Sequence, residues 1–133
     1  MKPDPAPTLF VLYVRFVSTS RNFYCNLLAL EPIVSEPGMV IFRLDSGVEL
    51  GLMAETAIQS LLPDMPDPRP DREIARCELY LRLRGADAAF QRGKEAGARE
   101  LSPMALRDWG ERAGYLLDPD GHVIACADLP GPL

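Results

Sequence analysis

The sequence predicts an α+β fold made of two β-α-β-β-β modules, and three observations predict it. The stretch DWGERAGYLLDPDGHVIACAD, Asp108 to Asp128, reads as two apolar runs joined by a tight turn. The stretch LDSGVELGLM, Leu44 to Met53, is a shorter copy of its second half. Each copy is preceded, in the same order, by a strand pattern and an amphipathic helix pattern. Aligning the turn glycines lays Gly47 over Gly121, Gly51 over Ala125 and Met53 over Ala127, and sets RNFY of the first helix against DAAF of the second.

The elements follow in chain order. MKPDPAP holds three prolines in seven residues and is an extended lead-in. Thr8–Arg15 is rich in β-branched and aromatic residues, as a strand is. Ser18 or Ser20 then caps a helix over SRNFYCNLLAL, with Phe23, Leu27 and Leu30 on one stripe, Tyr24 and Leu28 beside it, and Pro32 beyond its end. Ile33–Ser35, Met39–Leu44 and Val48–Met53 are three strands separated by the turn signals Pro37-Gly38 and Asp45-Ser46-Gly47. AETAIQSLL forms a short helix, and PDMPDPRPDR, with four prolines and three aspartates in ten residues, cannot bury a face and reads as a linker.

The second module repeats this order. Cys77–Leu83 alternates, with Leu79, Leu81 and Leu83 on one side and Glu78, Tyr80 and Arg82 on the other. Ala86–Ala96 is a helix with Phe90 on its buried face, ended by Gly97, and Arg99–Ser102 is a further strand. The closing hairpin turns on Asp118-Pro119-Asp120-Gly121. Pro119 presets the backbone for the second turn position, the aspartates can accept local backbone hydrogen bonds, and Gly121 tolerates a positive φ. The expectation is one domain over residues 1–133, with modules 8–60 and 75–128 joined by a linker at 61–74.

Composition excludes whole classes of function. Apolar residues make up 47% and charged residues 25%, the balance of a globular protein, and 133 residues suffice to bury a core without disulfide or metal. A net charge of −5 argues against nucleic acid and anionic membranes as partners, because both require clustered Lys and Arg. No apolar run approaches the roughly 18 residues that span a bilayer, and no secretory leader precedes residue 9, so a cytoplasmic location is expected. Cys25, Cys77 and Cys126 match no metal or redox spacing and read as small buried thiols. The single histidine, His122, follows the turn glycine and should face away from the Val123 side of its strand.

The repeated module, the FY pair in its first helix and the closing DPDGHV turn resemble the vicinal oxygen chelate superfamily, which includes glyoxalase I, extradiol dioxygenases and the bleomycin and phenazine resistance proteins. The resemblance runs from Thr8 to Asp128 and implies two mixed sheets forming a half-open cup with helices outside. Metal-dependent members hold their ion at positions that correspond here to Leu9, Gly51, Glu78 and Ala125. Only Glu78 has a donor atom, and one carboxylate does not make a divalent site. Glu49 would add a second carboxylate if it shares the Gly51 face.

The resemblance therefore implies no metal and no cofactor, and a binding protein rather than an enzyme. The expected ligand is a small planar or aromatic hydrophobic compound, such as an antibiotic that is sequestered, held by Tyr13, Gly51, Met53, Glu78, Tyr80, Arg82, Trp109 and Ala125 in a homodimer. LFVLYV at the first strand and LGLM at the fourth are similar to the phenazine-type members, Met53 standing where these often carry Trp. Small residues at Gly51, Ala125 and Ala127 would leave room for a flat molecule. Trp109 belongs to a loop, either at the cup rim or packed across a dimer interface or over the sheet edge. Arg82 pairs with Glu78 or holds a ligand carboxylate. The alternatives are a metal-dependent lyase or dioxygenase of the same superfamily, and a dimeric interaction module whose cup is filled by its own side chains, which the absence of a cavity beside Glu78 and Gly51 would favour.

Overall fold

The computed structural model describes residues 6–64 and 75–129. Most of the linker expected at 61–74, and the first five residues of the lead-in, lie outside the described residues. In order, the elements are β1 (Leu9–Val14), α1 (Val17–Leu28), β2 (Val34–Glu36), β3 (Met39–Arg43), β4 (Glu49–Ala54), α2 (Glu55–Leu61), β5 (Glu78–Leu83), α3 (Ala86–Glu95), β6 (Arg99–Leu106), β7 (Arg112–Leu117) and β8 (Val123–Asp128). They form two four-stranded mixed sheets, ordered β1-β4-β3-β2 and β5-β8-β7-β6. This is the predicted α+β fold of two β-α-β-β-β modules. Among the described residues, no helix is long and apolar enough to cross a membrane.

The register bears out the alignment of the two halves. β1 runs parallel to β4 with Val11 opposite Gly51, and β5 runs parallel to β8 with Tyr80 opposite Ala125. Both glycine turns have the positive φ expected of them, at Gly47 and Gly121.

The chain packs as two compact units whose boundary cuts through α1: its first turn goes with β1–β4 and α2, whereas Asn22–Ala29 goes with β5–β8 and α3. In the first unit, alternation buries Leu12 and Val14 of β1 and Leu50 and Leu52 of β4 on one face, leaving Leu9, Val11, Tyr13, Gly51 and Met53 on the other. In the second unit, Ile124, Cys126 and Leu116 are fully buried on the face that α3 covers, with Phe90 beneath the helix.

The second half of α1 is tied to this unit at three places. Phe23, Tyr24 and Leu27 are buried; a Cβ added at Gly93 of α3 would stand 2.9 Å from the end of Leu27 and 2.8 Å from that of Leu116, so α1, α3 and β7 meet closely there and a larger residue would push those side chains aside. Arg92 donates from Nε to the carbonyl of Asn26 and from Nη2 to that of Leu27, both at 3.0 Å. These are carbonyls in the last turn of α1 that have no partner within the helix, and a cation there also meets the negative end of the helix dipole. Tyr24 Oη donates to Asp118 Oδ2 at 2.6 Å.

Three local expectations are corrected. Neither Ser18 nor Ser20 caps α1: the helix already starts at Val17, so both lie inside it, Ser20 buried. β6 does not stop at Ser102: it continues through Pro103 to Leu106, which an edge strand permits because it needs no ladder donor at the proline, and its pairing with β7 shifts between Ser102 and Ala105. Of the three cysteines only Cys126 is buried, its thiol pushed up to about 11 by desolvation, while Cys25 is half-buried and Cys77, just before β5, is exposed.

Candidate functional site

In the second unit, alternation and register place Glu78, Tyr80 and Arg82 of β5 beside Val123, Ala125 and Ala127 of β8, and these beside Leu117, Tyr115 and Ala113 of β7. This is the face away from α3. Trp109 stands in the β6–β7 hairpin loop, which closes with Arg107 N–H donating to the Glu111 carbonyl at 2.8 Å and turns on Gly110 at φ +92°. The loop location expected for Trp109 is therefore observed, and the indole is 55% exposed.

A continuous hydrogen-bonded chain joins this loop to β5. Trp109 Nε1 donates to Tyr80 Oη at 3.0 Å, and Tyr80 Oη donates to Glu111 Oε1 at 3.2 Å. Arg82 grips the same carboxylate as a fork, Nε to Oε1 and Nη2 to Oε2, both at 2.9 Å, while its guanidinium carbon lies 5.3 Å from the centre of the Tyr80 ring. The hydrogen bonds from Arg82, ahead of all other causes, hold the Glu111 carboxyl below its ordinary range, and Glu111 in turn raises Arg82. Both groups stay charged near neutral pH.

The sequence suggested Glu78 as the protein partner of Arg82; the partner is Glu111. Strand geometry explains the error: residues four apart on a strand share a face but stand roughly 13 Å from each other. Glu78 is exposed at the far end of β5. Three participants in this face were missed, namely Glu111, Tyr115 and Arg107. Tyr115 pairs with Ala125, so Tyr80, Ala125 and Tyr115 form one row across three strands. Its hydroxyl is raised by burial first, then by the Glu78 carboxylate and Tyr80. Arg107 lies 5.1 Å over the Tyr115 ring and donates to Ser102 Oγ and to the carbonyls of Pro103 and Ala113, occupying polar groups where the β6 pairing slips.

In the first unit the corresponding face is largely apolar. Tyr13 and Leu9 are each 39% exposed, and Met53 is half-buried opposite Tyr13. The space expected over Gly51 is taken: an added Cβ would meet Leu9 at 3.2 Å, Val11 at 3.4 Å and Met39 at 3.5 Å. In the second unit Ala125 and Ala127 are likewise fully covered. Small residues here permit close approach of neighbours instead of leaving a void. Glu49 does share the Gly51 face, but Arg43 holds its Oε2 at 2.7 Å.

Of the positions that correspond to metal ligands, Leu9, Gly51 and Ala125 supply no donor, and Glu78 alone does not fit a divalent ion. Among the described residues, Asp118, Asp120 and His122 bring possible ligand atoms within 4.8 Å of one another. The buried Asp118 carboxylate is already spent: Oδ1 accepts from the backbone N–H of Asp120 and His122, and Oδ2 from Tyr24 Oη and His122 Nδ1. Burial alone would raise Asp118, but the hydrogen bonds and charge of His122, with Tyr24, outweigh it and lower the carboxyl. His122 thus faces this turn, away from the tyrosine row. The turn aspartate does bind local backbone, as expected, and it anchors α1 as well.

Two mixed sheets of this order and register, each with a parallel pair formed by its first and last strands, define a paired-module α+β class. The chain belongs to the glyoxalase/bleomycin resistance protein/dioxygenase superfamily, whose family model matches residues 8–126. Among solved structures, it is similar to a glyoxalase-related enzyme from Fulvimarina pelagi, with 22% identity and a TM-score of 0.78 over 92% of this chain and 87% of the other. A protein of unknown function from Agrobacterium tumefaciens aligns at 21% identity and a TM-score of 0.75 over 98% and 97% of the two chains. TioX from Micromonospora sp. ML1 aligns at 14% identity and a TM-score of 0.64, over 95% of this chain and all (100%) of that one. At these identities the likeness concerns the fold. No match was found among curated proteins.

Proposed function

We propose that this protein is a metal-free binder of a small planar aromatic compound, of the kind that sequesters an antibiotic, and that the ligand rests against Trp109 and Tyr80. The observation that carries this reading is the hydrogen-bonded chain Trp109–Tyr80–Glu111–Arg82. Its stabilising value is small, because exposed ion pairs are weak and Arg82 and Trp109 are both more than half exposed. A network of small stabilising value that holds an exposed indole in one orientation is suited to recognition. Pre-oriented aromatic surface lowers the ordering cost of binding.

Proton chemistry finds less support. Glu111 is shifted downward, away from the near-neutral range in which a general base works. The residues at the metal-ligand positions point the same way, since three of the four lack donors.

Trp109 is the only tryptophan, so its fluorescence reports on this site alone. Titrating phenazine and a panel of other planar aromatics into folded protein should produce a saturable change in that emission with at least one compound. An unchanged emission across the panel would contradict the proposal.

A further inference from the structure

The proposed reading leaves open which aromatic compounds are preferred, and the free edge of Arg82 bears on that. A guanidinium carries five N–H donors on two usable edges. Glu111 takes the edge formed by Nε and Nη2, using one hydrogen of each. The other edge, Nη1 with the second hydrogen of Nη2, has no protein acceptor among the described residues, and the side chain is 53% exposed. That edge has the geometry to take a second carboxylate as a fork.

The guanidinium is also held still. Glu111 fixes it in plane, Tyr80 lies against it at 5.3 Å, and Glu111 is itself fixed by the Tyr80 hydroxyl to which the Trp109 indole is bonded. One hydroxyl thus ties an exposed aromatic surface to an exposed, half-used cation. The other forked pair of this unit lacks this arrangement: Arg112 binds both oxygens of Asp87 but has no ring contact among the described residues.

Resting on the aromatic-binding reading, we infer that the preferred ligand is an aromatic acid, its ring on Trp109 and its carboxylate on the outer edge of Arg82. Glu111 is then a positioning residue that orients the cation without touching the ligand.

Calorimetric titration with naphthalene-2-carboxylate, naphthalene-2-carboxamide and 2-naphthylmethylammonium tests this, because the three share a ring and differ in charge. The acid should bind roughly tenfold tighter than the amide, the scale of one charge-assisted hydrogen-bonded contact, and the ammonium should be weakest. Raising the salt concentration should weaken the acid and leave the amide unchanged. Arg82→Gln should bring acid and amide to parity, and the salt test holds even if that variant fails to fold. Equal affinity for all three probes, or preference for the ammonium, would overturn the assignment of an acid while leaving aromatic binding intact. No binding by any of them would overturn both.

Discussion

The two sheets share strand order and register, yet their equivalent faces carry different chemistry. Val11 and Tyr13 of β1 stand where Tyr80 and Arg82 stand on β5, opposite Gly51 and Met53 in the first sheet and Ala125 and Ala127 in the second. Around Gly51 the first face closes on itself through Leu9, Val11 and Met39, and its main polar feature is the Arg43–Glu49 pair at one end. The second builds a connected polar network over two tyrosines. The same backbone plan therefore serves packing in one half and, in the proposed reading, recognition in the other. A repeat frees one copy to diverge only where the other secures the packing.

The asymmetry extends to the turns. Gly47 turns with an ordinary backbone bond, Gly47 N–H to the Leu44 carbonyl at 2.9 Å. Its counterpart adds Asp118, whose buried carboxylate holds the turn and α1 together. Replacing Asp118 with Ala should be the most damaging change considered, removing hydrogen bonds to a charged group and stranding Tyr24 Oη, at a cost of about 3 kcal/mol. Chemical denaturation measures it. The native carboxyl lies below its unfolded value, so its contribution is present above roughly pH 4 and is lost as pH falls through the folded value. Asp118→Asn should remove that acid-dependent part, and an unchanged stability profile between pH 2 and 5 would contradict the role assigned to the carboxylate.

Two glycines sharpen the contrast. A Cβ at Gly114 would stand 2.8 Å from both Met104 Sδ and the Phe90 ring, so Gly114→Ala should cost about 1–3 kcal/mol through overpacking. Hydrogen exchange should show the loss around α3 and β7. Tyr80→Phe breaks the link between Trp109 and Glu111 and should cost about 1 kcal/mol or less, with the indole emission shifting because its N–H loses an acceptor. Gly51→Ala should be the mildest, since the nearest atom is the flexible end of Leu9 at 3.2 Å, which a shift of a few tenths of an ångström relieves. A Gly51→Ala variant as unstable as Gly114→Ala would show that the Gly51 contacts are as rigid as those between β7 and α3.

Much of this was legible in the sequence because it rests on short-range rules. Alternation in Cys77–Leu83, the DPDG turn and the spacing of the turn glycines placed the strands and put Tyr80 and Ala125 on one face; that the two stand opposite each other comes from the pairing of β5 with β8, which no local pattern reports. Counting through the turn pairs Tyr115 with Ala125, so Tyr115 was within reach and was overlooked. Glu111 was harder: it lies beyond Gly110 in a loop, and nothing periodic marks where a loop carboxylate points. The bond from Tyr24 to Asp118 spans 94 residues, and no local pattern reports a contact of that range. Exposure misled in the opposite direction, because small residues at Gly51 and Ala125 suggested space that neighbouring side chains occupy.

In the proposed reading, the network on the second sheet, rather than the face of the first, receives the ligand. With a single tryptophan, the protein has one indole N–H resonance, and that proton is the one donated to Tyr80 Oη. Following this peak by nitrogen–proton NMR during a titration with naphthalene-2-carboxylate, alongside calorimetry, tests the claim directly. A saturable shift of the indole peak with the calorimetric affinity is expected; binding by calorimetry with the peak unmoved would place the ligand elsewhere.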